Sequence, residues 1–261
     1  MLHLKSVQYK QPSFQEEEFP FSLSLFRQLD TFHFEKPITI LIGENGTGKS
    51  TLLESIAFES DSILIGGETI DQDPTLQAAR KIALHLDLTW HARTKSGFFF
   101  RAEDFRNYVQ KVTEYREDAE QQLERIRRED PHSYEVLPYA RTVGELKNLY
   151  GDGLEVRSHG ESFLDLFKAR LRPNSFYILD EPEAPLSPLK QLSLISLIMD
   201  SVREGSQFII ATHSPMLMAL PEADLLSIED GELIHKSYEE LEHVKLTKDF
   251  LNHPEQFLRH L

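Results

Sequence analysis

Nine residues restrict this chain more than any others: GENGTGKST, Gly43 to Thr51, set directly behind the aliphatic run ITILI, Ile38 to Ile42. That run is β-branched at four of its five positions and stops at a glycine, as a buried strand does when it meets a turn. From Ser50 to Ala57 the spacing predicts a helix. Strand, glycine-rich turn and helix form the setting in which the pattern G-x-x-x-x-G-K-[ST], satisfied here in full, cradles phosphate. Gly43, Gly46 and Gly48 let backbone N–H groups converge on one anion, and the helix N-terminus adds its partial positive charge. Lys49 is expected to reach the β- and γ-phosphates and the Ser50 hydroxyl to ligate Mg2+. Glu44, Asn45, Thr47 and Thr51 complete the candidate phosphate-binding loop.

Two more short strands end in chemistry. FYIL, Phe176 to Leu179, runs into Asp180, Glu181 and Pro182, and FIIA, Phe208 to Ala211, runs into Thr212, His213, Ser214 and Pro215. At a strand end Asp180 can hold Mg2+ through water, and the adjacent Glu181 can orient or deprotonate an attacking water. A strand-end histidine is often structural, but His213 follows the third such strand, which favours a role in stabilising charge on a γ-phosphate. Between the two runs, Pro188 to Val202 is apolar at Leu189, Leu192, Ile195, Leu197, Ile198 and Val202 and is closed by Gly205, the pattern of a helix. Strands alternating with helices predict an α/β fold, a mainly parallel sheet covered by helices on both faces. Leu225 to Ile228 and Leu233 to His235 flank Asp230-Gly231 as a hairpin, and Val244 to Leu261 reads as a surface helix interrupted near Pro254.

At 261 residues the chain reads as a single domain, 1–261, with an inserted helical subdomain at about 103–172. In the insert, Phe105, Val112, Ala119 and Ile126 recur every seven residues among mixed charges. This predicts one long helix, either a coiled-coil arm or, the reading favoured here, a helix packed within the subdomain. A formal charge of −15 repels nucleic acid and anionic lipid except at a local basic patch. The absence of cysteine excludes disulfides and thiolate metal sites. No run approaches the roughly 18 apolar residues of a membrane span, and MLHLKSVQYK lacks an apolar leader core, so a cytoplasmic location is expected.

One further stretch, RSHGESFLDLF from Arg157 to Phe167, begins like the nucleophile elbow of a serine hydrolase at Gly160-Glu161-Ser162. Leu164 stands where the second glycine is needed, and a γ-branched residue does not suit that sharp turn. Ser-His-Gly-Glu also reads as a helix N-cap with a capping box.

In this order, GENGTGKST, SHGE, FYILDEPE and ATHSP resemble the Walker A, signature, Walker B and switch-histidine motifs of the ATP-binding-cassette (ABC) ATPases, of the P-loop NTPase class. The chain looks most similar to the small stand-alone AAA-labelled, SMC-like branch. SHGE lies 22 positions before Asp180 and matches the signature at Ser158, Gly160 and Glu161, with His159 replacing its first glycine. The resemblance implies a Mg2+-dependent ATP hydrolase. Its ATP would be sealed between head-to-tail protomers, with Glu181 and His213 catalytic, Ser50 and Asp180 on Mg2+, and Ser158, Gly160 and Glu161 acting in trans. It implies an ATP-dependent homodimer. Two departures accompany it. Arg101 or Glu103 occupies the region where transporter ATPases carry a glutamine, and Ser187 replaces the acid of the loop after Walker B. On these grounds a protein or nucleic-acid partner is expected ahead of a membrane partner, with an ATP-binding subunit of an ABC transporter as the alternative.

Overall fold

The computed structural model describes residues 2–12, 18–65, 70, 73–150 and 159–259. From the N-terminus, β1 (Leu4–Tyr9), α1 (Ser24–Gln28) and β2 (Thr31–His33) precede β3 (Ile38–Ile42) and α2 (Lys49–Glu59). Next come α3 (Gln77–Ala83), β4 (Leu86–Trp90) and β5 (Gly97–Arg101), then the helices α4 (Ala102–Glu129), α5 (Val136–Tyr150) and α6 (His159–Arg170). Strands and helices alternate through β6 (Phe176–Asp180), α7 (Pro188–Arg203), β7 (Gln207–Ala211), α8 (Pro215–Met218) and β8 (Asp224–Glu229). β9 (Glu232–His235), α9 (Glu242–Asn252) and α10 (Pro254–Leu258) follow.

The central sheet has the order β5-β6-β7-β3-β8-β9, parallel throughout except for β9, which returns antiparallel beside β8. Its register fixes the site. Arg101 pairs with Asp180, Asp180 with Ala211, and Ala211 with Leu41, so four strands from distant parts of the chain finish level with one another. Strands β3, β5, β6, β7 and β8 are buried on both sides, and their period of two divides their residues between two cores. Leu41, Phe99, Ile178, Ile209 and Leu226 face a core shared with α2 and α3. Ile40, Phe100, Leu179, Phe208 and Leu225 face the other, shared with α6, α7 and α8.

A second, antiparallel sheet, β2-β1-β4, lies over the first of these cores. One buried side chain ties its first strand to the parallel sheet. Gln207, 0% exposed, accepts from the backbone N–H of His3 at 2.7 Å and of Leu4 at 2.8 Å, and its amide donates to the Leu4 carbonyl at 3.1 Å. Each bond satisfies a backbone group that burial would otherwise orphan.

The helices foreseen at 50–57 and 188–202, the strands FYIL and FIIA, and the hairpin are all present, each longer by one to three residues at an end. Asp230 and Gly231 both have positive φ, the backbone a two-residue hairpin turn requires. Pro254 separates α9 from α10, as its missing N–H dictates. The heptad segment is α4, with Phe105, Ala119 and Ile126 buried, and α5 packs back along it. The heptad segment is therefore one long helix paired with α5 within the helical subdomain.

The sequence spacing gives no sign of the antiparallel sheet. Between Leu4 and Ser6 the register of β1 against β4 shifts, so LKSVQY loses the strict alternation that marks a strand. GFFFR, which forms β5, is buried almost throughout and likewise shows no alternation.

Gln207→Leu keeps the side chain's bulk but leaves two backbone N–H groups without acceptors. It is expected to cost about 2–6 kcal/mol in urea unfolding, at about 1–3 kcal/mol for each buried unsatisfied donor. An unfolding midpoint equal to that of the parent would show that Gln207 does not anchor β1.

Candidate active site

The phosphate loop begins where β3 leaves the sheet. Gly46 and Gly48 adopt φ of +81° and +102°, left-handed values that strain any residue carrying a Cβ. The loop is braced internally by the Thr47 hydroxyl, which donates to the Glu44 carbonyl at 2.9 Å. Lys49, the first residue of α2, folds back over this turn, and its Nζ donates to the carbonyls of Gly43 at 2.7 Å and Glu44 at 2.8 Å. Burial lowers the Lys49 pKa, and the carboxylates of Asp180 and Glu181 act against that shift. A desolvated cation flanked by N–H donors is a site prepared for an anion. The cleft beside it is lined by Phe19, Leu23, Gly46, Lys49, Ser50 and Glu181.

Asp180 ends β6 and is nearly buried. Glu181 then turns with φ of +49°, and its backbone N–H donates to the Ala211 carbonyl at 2.9 Å. This left-handed residue aims the carboxylate out over the strand ends, a costly conformation for a side chain larger than glycine. Glu181 Oε1 lies 3.8 Å from His213 Nε2, and both residues line an opening with Glu44, Asn45 and His243. Phosphate loop, acid pair and histidine therefore share one edge of the sheet, the edge at which parallel α/β folds bind ligands.

The histidine is fixed from behind. Glu183 Oε1 accepts from the His213 backbone N–H at 2.8 Å, so the turn after β6 holds the turn after β7. Ser214 Oγ caps α8, accepting from the N–H of Met216 and Leu217, and donates to Gln191 on α7 at 2.6 Å. Burial lowers the His213 pKa, as do Lys49 and His243, while Glu181 opposes them. The ring is accordingly neutral near pH 7, a hydrogen-bonding group and not a cation. Because the folded pKa is lowered, His213 costs stability only as pH falls below its ordinary value of about 6.5. Burial raises the Glu183 pKa, against which hydrogen bonds from Thr212 and His213 act.

Arg101, one of two residues considered for the glutamine region, is 2% exposed at the end of β5. It is ion-paired with Asp73, with Asp104 at 2.6 Å and with Glu54 at 3.4 Å. Burial alone would lower its pKa, but the hydrogen bonds to Asp104 and Asp73 outweigh that and raise it. It works as an internal strut from β5 to α2 and α4. Of the signature residues, Ser158 lies outside the described residues. Gly160 and Glu161 stand in the first turn of α6, where Glu161 is 3.9 Å from Lys190 of α7 and lines neither opening.

Upstream of the loop Phe21 and Phe26 are core, whereas Phe19 is 60% exposed and borders the cleft. Glu183 and His243 were not foreseen. Glu183 shares the acidic run DEPE, a signal open to reading; His243 comes from α9, 30 residues beyond His213, with no spacing to betray it.

With this geometry in place, comparison with known proteins is informative. Residues 20–129 match the family described as "AAA domain", and residues 116–219 match "AAA domain, putative AbiEii toxin, Type IV TA system". The chain is 25% identical over 208 residues to the probable siderophore transport system ATP-binding protein YusV of Bacillus subtilis, covering 75% of this chain and 68% of that protein. It is 26% identical to the energy-coupling factor transporter ATP-binding protein EcfA2 of Lactobacillus delbrueckii, covering 82% and 73% respectively. It is also 26% identical to the phosphate import ATP-binding protein PstB of Colwellia psychrerythraea, covering 77% and 71%. Among solved structures, cbiO1 of Clostridium perfringens, part of the ABC transporter complex cbiONQ, superposes over 100% of both chains with a TM-score of 0.51 at 18% identity. The fold is that of a P-loop NTPase of the ABC ATPase type, and in sequence the chain is similar to AAA domains and to ATP-binding subunits of the energy-coupling-factor and phosphate-import kind.

One expectation is corrected by these relatives. The sequence reading set a membrane partner behind a protein or nucleic-acid partner, yet the similar proteins are ATP-binding subunits of transport systems and the similar structure is part of a transporter complex. The physical reason for the error is the use made of Arg101. A residue buried in ion pairs within its own chain carries no information about what docks outside. No helix among the described residues is long and apolar enough to cross a membrane.

Glu183→Ala removes the acceptor that joins the two strand-end turns. Thermal unfolding is expected to report a loss of about 1–3 kcal/mol, the cost of a buried unpaired N–H. Parent-like stability would mean that the His213 turn holds its place without Glu183.

Proposed function

We propose that this chain binds and hydrolyses Mg2+-ATP as the ATP-binding subunit of a membrane transport system. The observation that carries this reading is the level finish of β3, β6 and β7, which sets Lys49 and His213 in two openings that share Glu181, with Asp180 at the neighbouring strand end. Support for the membrane partner comes from the transport-system names of the relatives, each matched over about three quarters or more of this chain.

In this reading the loop 43–51 wraps the β- and γ-phosphates with backbone N–H groups, and Lys49 exchanges its two carbonyl partners for phosphate oxygens. The donor set suits Mg2+, a hydroxyl at Ser50 and a carboxylate at Asp180, and the ion held there would supply positive charge to neutralise the phosphates. Glu181 takes the proton of the attacking water, and His213 donates a hydrogen bond to the γ-phosphate as charge develops. Phe19, the exposed aromatic at the cleft, stacks on the base. Ser158, Gly160 and Glu161 are offered to the ATP of a head-to-tail second subunit, where the N-terminus of α6 favours phosphate.

Lys49→Ala is expected to remove ATP-dependent thermal stabilisation while leaving the ligand-free transition in place. Glu181→Gln is expected to keep ATP binding and lose steady-state hydrolysis. With ATP it should be recovered from detergent-solubilised membranes together with a membrane-spanning protein and should shift to a paired mass by light scattering. Ser158→Arg in the same chain should block the pairing. Undiminished ATP protection in Lys49→Ala contradicts the site; recovery of Glu181→Gln with no membrane-spanning protein contradicts the transport reading.

A further inference from the structure

His243 enters the opening beside Glu181 and His213 from α9, which supplies none of its other lining residues. Its Nε2 lies 3.4 Å from Nδ1 of His213, with the two rings tilted at 48° and their centroids 5.5 Å apart. The flanking residues Leu241 and Val244 are buried, so α9 is docked by its apolar positions and presents His243 from a fixed place.

An imidazole that donates from one ring nitrogen must accept, or stay bare, at the other. His213 Nε2 is the nitrogen that faces Glu181, 3.8 Å from its Oε1, and it makes no hydrogen bond among the described residues. The carboxylates around the pair, Glu181 and Glu44 at the opening and Glu183 behind, favour a proton on that nitrogen over a lone pair, against the cation Lys49. A proton on Nε2 of a neutral ring leaves Nδ1 as an acceptor, and His243 is the group placed to donate to it.

We propose that His243 is a positioning residue for ATP hydrolysis: its Nε2–H donates to Nδ1 of His213, holds that ring in the Nε2–H tautomer, and so aims an N–H at the γ-phosphate. The inference rests on the ATPase reading above and adds to it that the helix α9 sets the state of the strand-end histidine. A second residue that fixes tautomer and ring direction is how histidines are commonly prepared for their task. Loss of such a partner leaves binding intact and lowers turnover, because the wrong tautomer points a lone pair at the developing charge.

The test compares His243→Leu, His243→Gln, His213→Ala and the His213→Ala/His243→Leu double variant with the parent. It uses steady-state ATP hydrolysis and the ring 15N chemical shifts of His213 in the ligand-free chain. His243→Leu should lower kcat about 10-fold, the typical loss for a supporting-shell partner, with KM for ATP unchanged. His243→Gln, whose amide N–H can still donate, should recover most of that loss. In the double variant the second substitution should cost nothing further. The 15N shifts should report Nε2–H at His213 in the parent and a mixture of tautomers in His243→Leu. An Nδ1–H tautomer in the parent, undiminished kcat in His243→Leu, or the full loss repeated on top of His213→Ala would each overturn the inference. The NMR result is decisive whether or not the parent turns over ATP. Absent hydrolysis in the parent would instead contradict the ATPase reading.

Discussion

The arrangement depends on a cation kept where water can hardly reach it. Lys49 holds its ammonium against two loop carbonyls and in the field of Asp180 and Glu181. Removing a charge from water is expensive, and partial compensation by carbonyls and nearby acids leaves it eager for a stronger partner. A polyphosphate brings several negative oxygens at once and accepts from the same loop's N–H groups. The fold around this lysine serves to keep the compensation incomplete and the approach open.

The parallel sheet does this through register. Because β3, β6 and β7 end level, three turns that are far apart in sequence become neighbours without any long side chain having to reach. Cross-braces then keep them level: Glu183 to the His213 backbone, the Glu181 backbone to Ala211, and Arg101 from β5 to α2 and α4. At the opposite, amino-terminal ends of the strands, Gln207 holds β1 to β7 by the same device, a buried polar group satisfying backbone. Hydrophobic burial on two faces supplies the bulk of the stability, while these few polar contacts decide the geometry.

What was legible in the sequence follows from the same physics. Glycines at left-handed positions, a lysine behind them and acids at a strand end are short, local patterns, so the loop 43–51, Asp180, Glu181 and His213 stand out in the sequence as candidates, and the structure brings them to one edge of the sheet. The helix 188–202 and the hairpin at Asp230-Gly231 were legible for the same reason. β1 was hidden by a register shift, and β5 by burial on both faces, which erases alternation. Glu183 and His243 became visible only in three dimensions, because what matters about them is a distance across elements. Arg101 misled, since the type of a residue at a position was taken as a statement about a partner when its charge is spent inside the chain.

The central claim is that Gly43 to Thr51 surrounds the terminal phosphate of bound ATP. Vanadate, which takes the place of that phosphate beside ADP and Mg2+, cuts the backbone next to itself under near-ultraviolet light, and mass spectrometry of the fragments locates the cut. The account predicts cleavage within residues 43–51 of the parent chain and none in a chain carrying Lys49→Ala. Cleavage confined to another part of the chain, or an equal cut at 43–51 without Lys49, would contradict it.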